Sequence, residues 1–209
     1  MLFKERSITF REFAMNEPAP LSLIQEAVLE FLQNRDDAVV FGAQAVNAYV
    51  DEPRMSQDVD ILALDADGLA EALRVFLGDR FHIAVRVRSV ASDKGLRIDQ
   101  VRKPKNRHLI DIRRVTELPP TRRVAQILVP TPEQLISQKL VSMVGRSKTA
   151  KGMTDIADLR RLLLFFPELK SRQGPVSEAL HAANADPSVL AAWQDMVLQD
   201  IRPDDNDEY

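Results

Sequence analysis

Asp58-Val59-Asp60 runs directly into the apolar stretch Ile61-Leu62-Ala63-Leu64. On an extended strand, residues i and i+2 share a face and lie roughly 7 Å apart. Asp58 and Asp60 therefore present two carboxylates to one side, while Val59, Ile61 and Ala63 turn to the other. Two ionised carboxylates at that spacing repel by on the order of 2 kcal/mol at an effective dielectric near 20. Folding does not require such a pair. A bound divalent cation converts the repulsion into coordination, and magnesium favours oxygen ligands of this kind. Sixteen positions upstream of Asp58, Gly42 follows the apolar run Val39-Val40-Phe41 and precedes the helix-forming composition of Ala43–Tyr49. A strand–glycine–helix turn of this kind aims free N–H groups at one point, where a phosphate can sit.

These elements resemble the nucleotidyltransferase fold of DNA polymerase beta type. The pattern Gly-x-x-Ala at Gly42, then Arg54-x-Ser56-x-Asp58-x-Asp60, is most similar to the AbiEii-type toxins of bacterial abortive-infection systems. Those families usually carry a second Gly, or a Ser or Thr, where this chain has Ala43, which offers a backbone N–H but no hydroxyl. The resemblance implies magnesium-dependent transfer of a nucleoside monophosphate from an NTP to an acceptor hydroxyl. Two ions, with manganese as an alternative metal, would be held by Asp58, Asp60 and a third acid. Gly42, Ala43, Arg54 and Ser56 would then meet the nucleotide. It further implies a toxin with a cognate antitoxin, and RNA, including the end of a tRNA, as acceptor.

The third acid is expected on a neighbouring strand, where it would activate the attacking hydroxyl as general base or by holding a metal. Asp111, in Leu109-Ile110-Asp111-Ile112-Arg113, is preferred over Asp99, in Leu96-Arg97-Ile98-Asp99-Gln100, because its flanks are more apolar. In the helical half Lys139 falls on the border of the stripe Leu135, Ile136, Leu140, Met143 and Val144. The resemblance gives this lysine contact with the nucleotide phosphates; the plainer reading is a lysine that buries its stem and snorkels. Asp155 and Asp158, with Lys151 ahead, match a Lys/Asp-rich helix of the same family, or simply suit the start of a helix. His82, His108 and His181 are dispersed and suggest no histidine metal site.

The elements that must position these residues follow from periodicity. Leu23, Ile24, Ala27, Val28, Phe31 and Leu32 predict an amphipathic helix over 22–33, with Ser22 and Gln25 as its capping box. A second helix is expected over Asp67–Leu77 with Gly78 as stop signal. Alternation predicts a strand from Phe81 to Arg88, a turn at Ser92–Gly95, and strands over Leu96–Val101 and Arg107–Arg113. In the last of these, Ile110 and Ile112 share one face and Leu109, Asp111 and Arg113 the other. A final short strand is expected over Val124–Val129, and Ile8–Ala14 reads as a further short strand. Thr131-Pro132-Glu133-Gln134 starts a helix running to about Val144. Further helices are expected over Thr154–Phe166, 175–184 and 187–201, then a disordered acidic tail from Arg202.

This order argues for an α+β fold: a nucleotidyltransferase core with a mixed sheet flanked by helices over residues 1–129, and a helical region over 130–209. The chain has no cysteine, no apolar run long enough to span a membrane and no signal-like N-terminus, which together read as cytoplasmic. The net charge of −3 conceals a basic segment over residues 94–123, where ten Lys and Arg face only Asp99, Asp111 and Glu117. Arg102, Lys103, Lys105 and Arg113 are its candidate contacts to an RNA backbone. Two other functions fit the residues: an adenylyltransferase acting on a small antibiotic, and a catalytically idle nucleotide or RNA binder.

Overall fold

The computed structural model describes Glu12, residues 19–90 and residues 94–203. Apart from Glu12, which is helical, the expected strand at Ile8–Ala14 lies outside them, as do half of the turn at Ser92–Gly95 and the acidic tail from residue 204 onward. The helices are α1 (Leu21–Phe31), α2 (Gly42–Asn47), α3 (Ala66–Phe81), α4 (Pro132–Gly145), α5 (Ala150–Phe165), α6 (Pro175–Ala182) and α7 (Pro187–Leu198). The strands are β1 (Ala38–Phe41), β2 (Val59–Ala63), β3 (Val85–Val90), β4 (Gly95–Gln100), β5 (Arg107–Arg114), β6 (Thr121–Val124) and β7 (Ile127–Pro130). The fold is α+β. The chain divides into two compact units, residues 1–44 with 54–129 and residues 45–53 with 130–209. The segment 45–53 thus joins the helical unit rather than the core.

The first unit is built on a five-stranded sheet of order β1-β2-β5-β4-β3, with a separate β6-β7 hairpin. In the five-stranded sheet β2·β5 is parallel, and β1·β2, β5·β4 and β4·β3 are antiparallel. One face of the sheet is apolar: Val59, Ile61, Ile98, Ile110 and Ile112 are all buried, and α1 and α3 cover it. The other face carries the polar members of the same strands, Asp60, Asp111 and Arg97 among them.

Several boundaries differ from expectation for local reasons. Helix α1 begins at Leu21 with no side-chain cap. The Leu21 N–H instead donates to Glu12 Oε1 at 2.7 Å, and Gln25 donates to the Ser56 carbonyl at 3.0 Å. Helix α3 passes through Gly78 and stops where His82 adopts left-handed backbone, φ 52°, and β3 begins only at Val85. The expected strand over Val124–Val129 is two strands, because Ala125 and Gln126 both take positive φ, 47° and 68°, and turn the chain. Neither is a residue that advertises such a hairpin turn.

In the helical unit, α4 starts behind Thr131 as expected, although its side chain makes no cap. Helix α5 starts at Ala150, before the expected Thr154, because the Thr149 hydroxyl caps the Gly152 N–H at 3.2 Å. The hydroxyl of Tyr49 donates to the Pro130 carbonyl, and its ring packs edge-on against Phe166. These two contacts fix segment 45–53 within this unit.

Candidate active site

Asp58 lies one residue before β2 and Asp60 lies within it. The parallel β2·β5 register sets Asp60 opposite Asp111, and Val59 opposite Ile110. Two carboxylates from adjacent strands thereby face the same side of the sheet. On the other flank β1 sets Phe41 opposite Asp60. Gly42 follows at once with φ +67°, and a Cβ placed there would come within 2.3 Å of Asp60 Oδ2. Glycine is needed here both for its backbone conformation and for the space its missing side chain leaves to the carboxylate. Helix α2 spans six residues, with Ala43 buried in its first turn.

The ladder between β4 and β5 is regular up to Ile98↔Ile110, then shifts so that Asp99 opposes His108. Leu109 is the extra residue of a β-bulge, and a bulge re-aims the side chains around it. Leu109 is only 1% exposed, whereas His108 is half-buried on the face of Asp111. Strict alternation puts Leu109 beside Asp111; the bulge sends it inward and puts His108 there instead. His108 Nδ1 lies 3.2 Å from Asp58 Oδ2, and Nε2 lies 3.0 Å from Asp111 Oδ1. The latter approach is short but poorly aligned for a hydrogen bond. Sequence reading missed this residue because a bulge leaves no mark on periodicity.

Asp111 also receives two hydrogen bonds from the Arg97 guanidinium, at 2.8 and 2.9 Å. Burial pushes its carboxyl up, but His108 and Arg97 outweigh that and hold it well below the usual carboxylate range. Burial likewise opposes protonation of His108, and Asp111 followed by Asp58 more than offsets it, raising the imidazole above its ordinary value. Asp99, the competing third acid, is 4% exposed and receives a hydrogen bond from Arg88 Nε at 2.9 Å. It is an ion-pair partner on the same sheet.

Among the described residues, Asp58, His108 and Asp111 form a group whose ligand atoms all lie within 4.8 Å of one another. Carboxylate oxygens with an imidazole nitrogen suit a divalent cation, and these residues fit one. Ser56 donates its hydroxyl to the Asp58 carbonyl at 2.7 Å, and Arg54 donates to the Met55 carbonyl at 3.2 Å. Both shape the loop that delivers Asp58.

The basic segment divides. Arg97, Arg107, Arg114 and Arg123 are engaged by Asp111, Glu12, Asp67 and Asp36 respectively. Lys103 and Lys105 are exposed, with Arg102 partly so, in the turn that enters β5 just ahead of His108. Arg113 is exposed on the Asp111 face, its guanidinium 4.8 Å from the centre of the Phe41 ring.

Lys139 belongs to the helical unit, where it is 7% exposed. Its ammonium lies 2.6 Å from Asp158 and 3.3 Å from Asp155, and Arg146 holds the second oxygen of Asp155 at 2.7 Å. The lysine does not snorkel. Asp158, at 0% exposure, and Asp155 face inward rather than away from the packed side of α5.

A mixed sheet with helices on one face and paired acids on adjacent strands is the architecture of a nucleotidyltransferase. The Megavirus polyadenylate synthase shares it, with TM-score 0.56 and 13% identity over 80% of this chain, which spans 40% of that protein. JHP933 from Helicobacter pylori does so at TM-score 0.55 and 14% identity, over 93% of this chain and 84% of that one. The antibiotic-resistance factor ANT(2'')-Ia is a looser likeness: TM-score 0.47 and 16% identity, covering 83% of this chain and 88% of that one. No curated protein matches the chain by sequence. Residues 26–207 match the model of the nucleotidyl transferase AbiEii toxin family, type IV toxin–antitoxin system, and the chain belongs to that family.

Proposed function

We propose that this nucleotidyltransferase moves a nucleoside monophosphate from an NTP to a hydroxyl of RNA, acting as the toxin of a toxin–antitoxin pair in the cytoplasm. The observation that carries the reading is the register Asp60↔Asp111, which sets one acid of the Asp-x-Asp pair beside a carboxylate from the next strand. In the reaction the acceptor oxygen forms a bond to the α-phosphorus, the bond from that phosphorus to pyrophosphate breaks, and the hydroxyl proton is released to solvent. Asp58, Asp60 and Asp111 are the residues proposed to hold the divalent cation, magnesium or manganese, with two ions in the full site. When bound, such ions polarise phosphoryl oxygens and lower the pKa of the attacking hydroxyl.

The protein's own groups divide the remaining work. Asp111, held far below its ordinary pKa by His108 and Arg97, is a poor proton acceptor, so of its two expected roles the structure favours ligand over general base. Gly42 keeps space open for Asp60. The reading places Gly42, Ala43, Arg54 and Ser56 along the nucleotide, on the strength of the family resemblance. It gives Lys139 the phosphates on the same ground, with its charge shared with Asp155 and Asp158. The exposed turn Arg102–Lys103–Lys105 and Arg113 supply cations for an RNA backbone, which a small cationic antibiotic would not need.

The test is incubation with each labelled NTP and magnesium, offering total cellular RNA, an aminoglycoside, or no acceptor. Label on RNA supports the proposal, label on the antibiotic supports the rival acceptor, and label on neither sinks both.

A further inference from the structure

We propose that His108 is a direct ligand of the metal in this site, and that its nitrogen makes the site take manganese in preference to magnesium. The inference rests on the nucleotidyltransferase reading and deepens it by naming a ligand and a metal preference.

Three features of the β5 entrance carry it. The bulge at Leu109 interrupts the β4·β5 ladder, and its result is to bring an imidazole to the carboxylate face. The ring then lies between the two acids, each nitrogen within 3.2 Å of a carboxylate oxygen, and Asp58, His108 and Asp111 converge as one group. Nε2 is buried and has no aligned hydrogen-bond partner. A histidine present only to cross-link two acids would be expected to align with them.

Charge at the site points the same way. Arg97 takes both oxygens of Asp111, so that carboxylate offers an ion less negative charge than a solvated one would. The imidazole, releasing its proton as the ion binds, supplies a lone pair there. Nitrogen discriminates among ions: magnesium holds to oxygen ligands in strict octahedral geometry, whereas first-row transition ions accept imidazole readily. Manganese is the transition ion that also accepts carboxylate and phosphate oxygen.

The test compares wild type with His108→Gln, following manganese binding by the loss of free-ion electron paramagnetic resonance signal and magnesium by competition. Removal of the nitrogen is expected to weaken manganese binding by about tenfold or more and to shift magnesium affinity by less than about threefold, cutting the selectivity. Equal losses for both ions, or no loss for either, would overturn the proposal, as would a wild-type protein that does not prefer manganese.

A second measurement does not depend on the variant folding. The chain has three histidines, and nitrogen-15 resonances of their rings can be followed in wild-type protein on adding cadmium. One ring nitrogen of His108 should move to the shift of a metal-bound nitrogen, and split by coupling when cadmium-113 is used, while His82 and His181 stay still. Unmoved His108 nitrogens in cadmium-saturated protein would sink the ligand. Transfer from labelled NTP, run alongside, separates the two ideas: absent transfer with intact selectivity rejects the proposed reaction and keeps the ligand.

Discussion

Asp60 and Gly42 are coupled through contact, and the coupling is testable at single residues. A methyl at position 42 meets both a left-handed backbone and the Asp60 carboxylate at 2.3 Å. Gly42→Ala is therefore expected to lower stability by about 1–3 kcal/mol and to displace the carboxylate, so that transfer falls further than the melting temperature alone explains. Wild-type turnover in that variant would separate the glycine from the site. Lys139 gives the opposite kind of case. Replacing it with Met removes the ammonium from between the buried Asp155 and Asp158, which should cost about 3–5 kcal/mol, measured by chemical denaturation. A second change, Asp158→Leu, should recover part of the loss. If Lys139→Met alone is as stable as wild type, the buried network is not what holds α4 to α5. The strand that carries Asp60 and the turn at Gly42 were legible in the sequence, because an apolar alternating run and a glycine behind an apolar run mark them. The inward turn of Asp155 and Asp158 was not, because the cation that neutralises them sits sixteen residues upstream of Asp155 on another helix.

At the scale of elements, the order of strands and helices followed from periodicity, whereas pairing partners and irregularities did not. The alternation Leu109-Ile110-Asp111-Ile112 correctly assigned Asp111 and the isoleucines to opposite faces, since the ladder is regular there. It misplaced Leu109 and hid His108, since one inserted residue reverses every assignment beyond it. The β6-β7 hairpin was read as one strand for a similar reason: Ala125 and Gln126 carry no turn signature. The bulge makes a quantitative claim. Leu109→Ala should destabilise by about 2–5 kcal/mol in thermal or denaturant unfolding, the range for a buried leucine. A change under about 0.5 kcal/mol, typical of a surface position, would mean that Leu109 lies on the open face and that His108 does not.

For the whole molecule, the proposed RNA acceptor requires an acidic protein to concentrate cation locally. Several cations of residues 94–123 are spent on internal ion pairs, whereas Lys103 and Lys105 are exposed and Arg102 partly so in the turn at the Asp58 and His108 end of the sheet. Replacing those three together by glutamine should reduce transfer to RNA several-fold and flatten its dependence on salt, with NTP affinity unchanged. Normal RNA modification across a salt series would remove the turn from the acceptor site. The central claim is that paired strands β2 and β5 carry the reaction. It is tested most directly by label transfer from NTP to RNA with wild type, Asp60→Asn and Asp99→Asn, each shown to be folded by circular dichroism. Transfer should vanish in Asp60→Asn and persist in Asp99→Asn. Near-normal transfer by Asp60→Asn, or its loss only in Asp99→Asn, would contradict the account.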